Sequence, residues 1–153
     1  MGHFVQRGGL WVLGQAVLLA AVLAATLFWH NSELGPLARI AGIVLLVVGA
    51  CCGLAGTVSL GQNLTPFPKP NQETKLVETG LYGFIRHPLY TAVFCGAVGW
   101  ALVWQSLPSL WPALLLGPFF DAKARVEERF LRELFPEYAA YQQRVRRFIP
   151  FLY

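Results

Sequence analysis

The sequence is short of charge. Only 20 of its 153 residues are Asp, Glu, Lys or Arg, 13% of the chain, against roughly 25% in an average soluble domain. A soluble domain of this size has to cover its outside with polar groups, because contiguous apolar surface drives association. Twenty charges are too few, so most soluble readings fall. Disorder is excluded by the same figures, since 56% of residues are apolar and 11 Phe, 5 Trp and 5 Tyr are present, whereas disordered chains combine low hydropathy with high net charge. Cysteine and histidine are equally scarce, three of each. Cys51 and Cys52 are adjacent and Cys95 stands alone, so there is no C-x-x-C pair, no even disulfide framework and no zinc spacing, and the three read as packing residues. His3, His30 and His87 form no H-x-x-x-H pair, and no metal site is expected.

What charge there is lies in blocks. Residues 8–32, 40–68 and 88–120 contain no Asp, Glu, Lys or Arg. A helix crossing about 30 Å of hydrocarbon needs roughly 20 apolar residues. The first two runs each fit one crossing, residues 10–29 and 37–60. The third is too long for one helix, and Ser106-Leu107-Pro108-Ser109 near its middle predicts a turn, giving a tight hairpin of 88–105 and 107–122. Pro112 and Pro118 mark the second arm as kinked or only partly spanning. A cleaved signal peptide competes for the first run, because Arg7 precedes it, but the run continues to Trp29, past the usual core of roughly 7–15 residues. The expected class is therefore all-α, a polytopic membrane bundle of about four crossings with a cytoplasmic loop 61–87 and a cytoplasmic cap of helices in 123–148. Nearly all Lys and Arg then fall on one side, only Arg39 opposing them. The positive-inside rule places both termini in the cytoplasm, in a cell (inner) membrane. The net charge of +4 then reports a membrane face rather than nucleic-acid binding. Gly42, Gly49, Gly53 and Gly56 mark a close-packing face on the second helix, with Gly49 and Gly53 in G-x-x-x-G spacing, read as intramolecular packing before a dimer interface.

Two polar segments remain for chemistry. In the loop, Thr65-Pro66-Phe67-Pro68-Lys69-Pro70 is extended and stiff. Arg86 and His87 sit at the mouth of the third helix, which Pro88 opens. Such a mouth presents unpaired N–H groups to an anion. The plainer alternative has Arg86 anchoring the helix to head groups while His87 caps it. In the tail, residues 121–135 read as an amphipathic helix with Val126, Phe130 and Leu134 at four-residue spacing. Lys123 with Glu127, Glu128 with Arg132 and Arg129 with Glu133 would make a salt-bridged solvent face without any function. Pro136 ends that helix, and a second short one, 137–145, carries Tyr138 and Tyr141. Glu127 and Glu128 nevertheless lie within about two turns of the membrane exit, on the side of His87. Carboxylates and a basic helix mouth at one surface suit a ligand bearing both a carboxylate and a cation, and Tyr82 and Tyr90 add aromatic faces.

These segments resemble the isoprenylcysteine carboxyl methyltransferase and phospholipid methyltransferase superfamily of small integral membrane enzymes. Leu76-Val77, Tyr82 and Arg86-His87-Pro88-Leu89-Tyr90 carry the first half of the likeness. Glu127-Glu128, Leu131, Phe135-Pro136-Glu137-Tyr138, Tyr141, Val145 and Phe148-Ile149-Pro150 carry the second. Pro136 stands where the family often has Gly, and the N-terminal half matches only in being apolar. The resemblance implies S-adenosylmethionine as methyl donor, S-adenosylhomocysteine as product and no metal. It places cofactor contacts at Thr74, Lys75, Leu76, Val77, Tyr82, His87, Pro88, Leu89, Tyr90, Glu127 and Glu128. Arg86 and either Lys123 or Arg125 would orient a membrane-embedded, lipid or lipid-like acceptor that enters from the bilayer between the hairpin and the second helix. No Rossmann G-x-G-x-x-G is present, which argues against the common soluble methyltransferase. Two other classes stay open: a membrane reductase related to sterol reductases, and a non-enzymatic helical partner or sensor.

Overall fold

The structure, a computed structural model, describes residues 7–29, 34–69 and 75–150. Its helices are α1 (Gly9–Phe28), α2 (Gly35–Leu60), α3 (Pro88–Val103), α4 (Leu107–Leu134) and α5 (Tyr138–Arg144), with short 3₁₀ turns at Gly61–Asn63 and Gly80–Gly83. Local chemistry sets the ends. Gly35 takes a left-handed φ of +82° ahead of Pro36, Pro88 opens α3, and the Ser106 hydroxyl caps α4 by accepting from Ser109 N–H, each a standard way to start a helix. α1 and α2 are long and apolar enough to cross a membrane. In a soluble core such helices would be mostly buried, but only 11% of each apolar window is buried here. Leu13, Val17, Val44, Val47, Leu54 and Val58 are all exposed, as side chains facing lipid would be.

α2 and α3 pack along a seam of small residues. A Cβ on Gly42 would lie 2.8 Å from Gly99 O, and one on Gly49 2.9 Å from Ala92 O. One on Gly56 would meet Leu89 at 3.1 Å. The seam therefore uses every seventh residue, two helical turns, and brings backbone against backbone. Gly53, the other half of the G-x-x-x-G pair, is off this line, with Ala92 Cβ at an ordinary 3.5 Å.

The expected second arm of the hairpin, 107–122, and the expected amphipathic helix, 121–135, are one helix. α4 runs unbroken through Pro112 and Pro118 to Leu134. Each proline deletes one backbone donor, a loss that apolar segments in lipid commonly absorb. The hairpin bend falls at Gln105, whose φ is +52°. Its side chain staples the bend to the start of α2, accepting from Leu34 N–H at 2.9 Å and donating to Gly35 O at 3.3 Å. Beside it, Thr26 Oγ1 and Ser109 Oγ pair at 2.7 Å, Trp100 Nε1 donates to Thr26, and the Ser106 hydroxyl donates to Trp29 O. Hydroxyls in an apolar bundle must find partners, and these link α1 to both hairpin arms. Val22, Ala97, Val98, Ala113, Leu116 and Phe120 form the core between α1, α3 and α4.

Beyond Phe120, α4 reverses the expected polarity. Its inward row continues with Lys123, Ala124 and Glu128, while Leu134 is exposed. The four-residue ion pairs therefore give way: Lys123 turns to Gln15 on α1, and Glu128 turns to Arg86, His87 and Arg147. α5 folds back so that Tyr138, Tyr141 and Val145 pack with Leu76, Leu131 and Phe135. The following residues run beside the 85–87 segment, joined by a parallel bridge between Ile85 and Arg146.

Candidate active site

The polar cleft lies at the mouth of α3, walled by the loop on one side and by α4 and α5 on the other. Its lining includes Asn63, Lys75, Leu76, Val77, Tyr82, Arg86, His87, Leu89, Tyr90, Glu127, Leu131 and Tyr138. It holds about 760 Å³ of empty space counted out to its open mouth, of which the centre of a water molecule reaches about 100 Å³. So narrow a slot takes a flat or extended ligand. Asn63 shapes its outer wall by pairing with the main chain of Lys75, donating to Lys75 O at 3.1 Å and accepting from Lys75 N–H at 3.2 Å. Tyr141 Oη donates to Tyr82 O at 2.6 Å and ties the cap to the loop. Burial pushes the Tyr82 phenol up, and the charge of Glu127 adds to the effect, so Tyr82 presents a protonated face.

The two glutamates have different surroundings. Glu127 Oε2 accepts from Tyr90 Oη and lies 3.9 Å from His87 Nδ1. Its side chain keeps 26% exposure, and Oε1 has no hydrogen-bond partner among the described residues. Glu128 is 3% exposed and fully engaged. Oε1 accepts from Arg86 Nε at 3.0 Å, His87 Nε2 at 3.1 Å and Arg147 Nε at 3.1 Å. Oε2 accepts from Arg147 Nη2 at 2.8 Å and Gln142 Nε2 at 3.0 Å. Burial would raise this carboxyl, but hydrogen bonds from His87 and Arg147 and the charges of His87 and Arg86 outweigh it and hold it at about 2. A carboxylate accepts at about four lone-pair sites. Glu128 has none left for a ligand and does not line the cleft.

Other expected positions also move. Arg86 spends its donors inside the protein, on Glu128 and on Gln142 O and Val145 O at 2.9 and 2.6 Å. It braces the cap against α3 rather than reaching for an acceptor. His87 occupies the position before α3, but its side chain makes no capping bond. Its ring stacks on Tyr90 at 5.2 Å, and Tyr90 stacks on Phe120 at 4.9 Å. Pro88 shapes the helix mouth and is buried outside the cleft lining. Arg125 points outward, 65% exposed, and pairs with Asp121 at 2.6 Å. Lys123 is 2% exposed, donates to Gln15 Oε1 at 2.8 Å and stands 5.0 Å above the Tyr90 ring. Of the two candidate cations, Lys123 is the one beside Tyr90, the residue the clefts share, although it lines neither of them. Thr74 lies outside the described residues. Among residues that sequence reasoning missed, Asn63 follows α2 in an unremarkable Gly-Gln-Asn turn, and Arg147 reads only as one of the basic residues of the membrane face. Gln15 carried a signal, being one of two side chains in α1, with Thr26, that can accept a hydrogen bond.

A second, apolar cleft adjoins the first. Thr91, Phe94, Cys95, Gly117, Pro118, Asp121, Phe148 and Ile149 line it, and it shares Tyr90 with the polar cleft. It is roomier, and the centre of a water molecule reaches about 480 Å³ of it. It opens between the two arms of the hairpin. The expected route between the hairpin and α2 is closed, because the glycine seam leaves no gap between those backbones. Chemically, the polar cleft offers one open carboxylate, an imidazole and a slot with apolar walls, a set suited to an amino-acid group joined to a flat ring.

Residues 37–138, two thirds of the chain, match the family model of phospholipid methyltransferase. This chain belongs to the phospholipid methyltransferase family. Within that family's wider circle, it is 30% identical over 149 residues to a cobalt-zinc-cadmium resistance protein, CzcN, of Cupriavidus metallidurans, covering 94% of this chain and 63% of that protein. It is 32% identical over 120 residues to the protein-S-isoprenylcysteine O-methyltransferase of Saccharomyces cerevisiae, covering 76% of this chain and 50% of that enzyme. The chain thus spans about half to two thirds of the length of these relatives. A solved eukaryotic intramembrane Ras methyltransferase, isoprenylcysteine carboxyl methyltransferase, superposes with a TM-score of 0.70 at 21% identity, over 94% of this chain and 53% of that one. At that identity the likeness shows the fold.

Proposed function

We propose that this protein transfers a methyl group from S-adenosylmethionine to a lipid-modified or lipid-like acceptor in the membrane, with the polar cleft facing the cytoplasm. One observation carries the reading: a polar slot with an open carboxylate and an apolar cleft between membrane helices meet at one residue, Tyr90. The fit to the donor rests on the chemistry of the lining. Glu127 Oε1 would accept from the amino group, His87 and the N–H of Leu89 would face the carboxylate, since Pro88 has no N–H and those of Tyr90 and Thr91 already donate to His87 O, and Leu76, Val77, Leu89 and Leu131 would sandwich the adenine. The bound sulfonium supplies an already activated methyl. The residues of the chain then have to align the reactants and exclude water, an effect worth up to roughly 7–11 kcal/mol. The acceptor nucleophile would bond to the methyl carbon as the sulfur–methyl bond breaks, its electron pair leaving with sulfur. A carboxylate acceptor, as the solved structure's name, isoprenylcysteine carboxyl methyltransferase, states for that enzyme, loses no proton in this step, and the buried ammonium of Lys123 would give it a positive neighbour.

Calorimetric titration of the detergent-solubilised protein with S-adenosylhomocysteine tests the donor site. Wild type is expected to bind, and Glu127→Ala to weaken binding at least tenfold, the equivalent of about 1.4 kcal/mol. No binding by wild type, or equal binding by the variant, overturns the assignment. Transfer of labelled methyl into a lipid extract, followed by identification of the product, names the acceptor.

A further inference from the structure

We infer that Arg147 is a positioning residue for the cleft: it fixes Glu128 and, through Glu128, the ring of His87. The inference rests on the reading of the polar cleft as a methyl-donor site. It starts from the chain after α5, which runs as an extended strap along the mouth of α3. Arg86 N–H donates to Arg146 O at 2.8 Å, His87 N–H to Arg147 O at 3.1 Å, and Thr91 Oγ1 to Phe148 O at 3.2 Å. In an extended segment alternate side chains face opposite ways. Val145 is buried and Arg147 half-buried, while Arg146 between them is exposed.

The inward Arg147 forms a fork on Glu128, Nε to Oε1 at 3.1 Å and Nη2 to Oε2 at 2.8 Å, and its third nitrogen, Nη1, reaches Asp121 Oδ1 at 2.5 Å. Asp121 and Glu128 are seven residues apart on α4, two turns on one face, so one guanidinium spans both. The fork fixes the plane of the Glu128 carboxylate, a geometry that a lysine ammonium does not impose. That carboxylate in turn accepts from His87 Nε2, which leaves Nδ1 turned toward Glu127 and the cleft. The residue after Arg147 acts on the same ring directly: Phe148 lies 5.9 Å from it, tilted, in addition to the stacked Tyr90. The strap therefore sets His87 by its main chain, by Phe148 and by the Arg147–Glu128 fork.

The test compares wild type with Arg147→Lys, which keeps the charge and loses the fork, and with Arg147→Gln. Arg144→Gln serves as control, since Arg144 pairs with Glu78 on the exposed face of the cap. Ring-nitrogen NMR of the micelle-bound protein, with His87→Asn giving the assignment, is expected to show one His87 species in wild type and in Arg144→Gln. The Nε2–H signal is expected to be averaged or lost in both Arg147 variants. In titrations with S-adenosylhomocysteine, Arg147→Lys is expected to bind about tenfold more weakly than wild type. Wild-type His87 signals in both Arg147 variants, or full rescue of binding by lysine, overturn the inference. A wild type that binds no S-adenosylhomocysteine while its His87 signals still depend on Arg147 overturns the methyl-donor reading and leaves the positioning link standing. If both Arg147 variants fail to fold, Arg147→Met, which keeps the side chain's length and loses the fork, is read in their place by the same criteria.

Discussion

Charge is scarce in this chain, and where it is buried it is used in two contrasting ways. Glu128 is surrounded by Arg86, His87, Arg147 and Gln142, while Lys123, among the described residues, donates to the neutral amide of Gln15 and lies over the face of Tyr90, with the charge of Glu127 acting on it from beyond contact. A buried ion without a counter-ion in contact is costly to folding, and an apolar replacement often costs nothing or stabilises. Lys123→Met is therefore expected to leave thermal stability unchanged or raised while lowering turnover. Gln15→Leu, which strips the ammonium of its one acceptor, is expected to destabilise by about 1–3 kcal/mol. Unfolding scans in detergent check both, and a stabilised Gln15→Leu would show that Lys123 has no need of Gln15. Glu128 gives a pH signature. Its folded value of about 2 lies below the ordinary 4.5, so the stability it contributes is complete above pH 4.5 and is lost as pH falls toward 2. Thermal midpoints measured across that window are expected to fall more steeply for wild type than for Glu128→Gln, and equal slopes would contradict the buried cluster. The sequence made the Glu pair, His87 and Tyr90 legible as neighbours. It could not divide labour within the pair, because adjacent helix positions differ by about 100° of rotation. Which of them meets Arg147 depends on a strap that returns from 19 residues away.

At the level of elements, the apolar runs located the helices because length and hydropathy suffice for that. Register was less legible. Four glycines on α2 offered two spacings, and only the facing helix decides between them. Ala92, Gly96 and Gly99 on α3 select the seven-residue line through Gly42, Gly49 and Gly56. The continuity of α4 was missed for a similar reason, since the onset of charge at Asp121 looks like a boundary when the charged residues are assumed to face water. Lys123 and Glu128 face inward because Gln15, Arg86 and His87 wait there. Two substitutions separate the glycine lines. Alanine in place of glycine within a helix gains up to about 1 kcal/mol in propensity, but overpacking commonly costs about 1–3 kcal/mol. Gly42→Ala places a Cβ 2.8 Å from backbone atoms that cannot yield separately, so a net loss of stability is expected. Gly53→Ala meets only a methyl at 3.5 Å and is expected to be neutral or mildly stabilising. Thermal unfolding of the two variants in one detergent reads the sign of each directly.

For the molecule as a whole, a polar and an apolar cleft meet at Tyr90. The polar cleft lies between the loop and the cap, while the apolar cleft lies between the hairpin arms, among residues such as Phe94, Pro118 and Ile149. With the seam between α2 and α3 closed, the hairpin is the flank on which a roomy apolar cleft lies. If that cleft receives the acceptor, filling it should obstruct the acceptor and spare the donor. Gly117 lines the cleft, and a Cβ there would touch only the ring edge of Phe94 at 3.4 Å, so a larger side chain can grow into the free volume without moving backbone. Gly117→Leu is expected to raise KM for the lipid-like acceptor about tenfold, through loss of roughly 1.4 kcal/mol of binding, with S-adenosylhomocysteine binding unchanged in calorimetry. The polar cleft shares only Tyr90 with the filled one, so a matching loss of donor affinity would mean that the helix had shifted and the variant says nothing for separate routes. An unchanged acceptor KM with the side chain in place would mean that the acceptor enters elsewhere, and the hairpin cleft would then be lipid-filled scaffold.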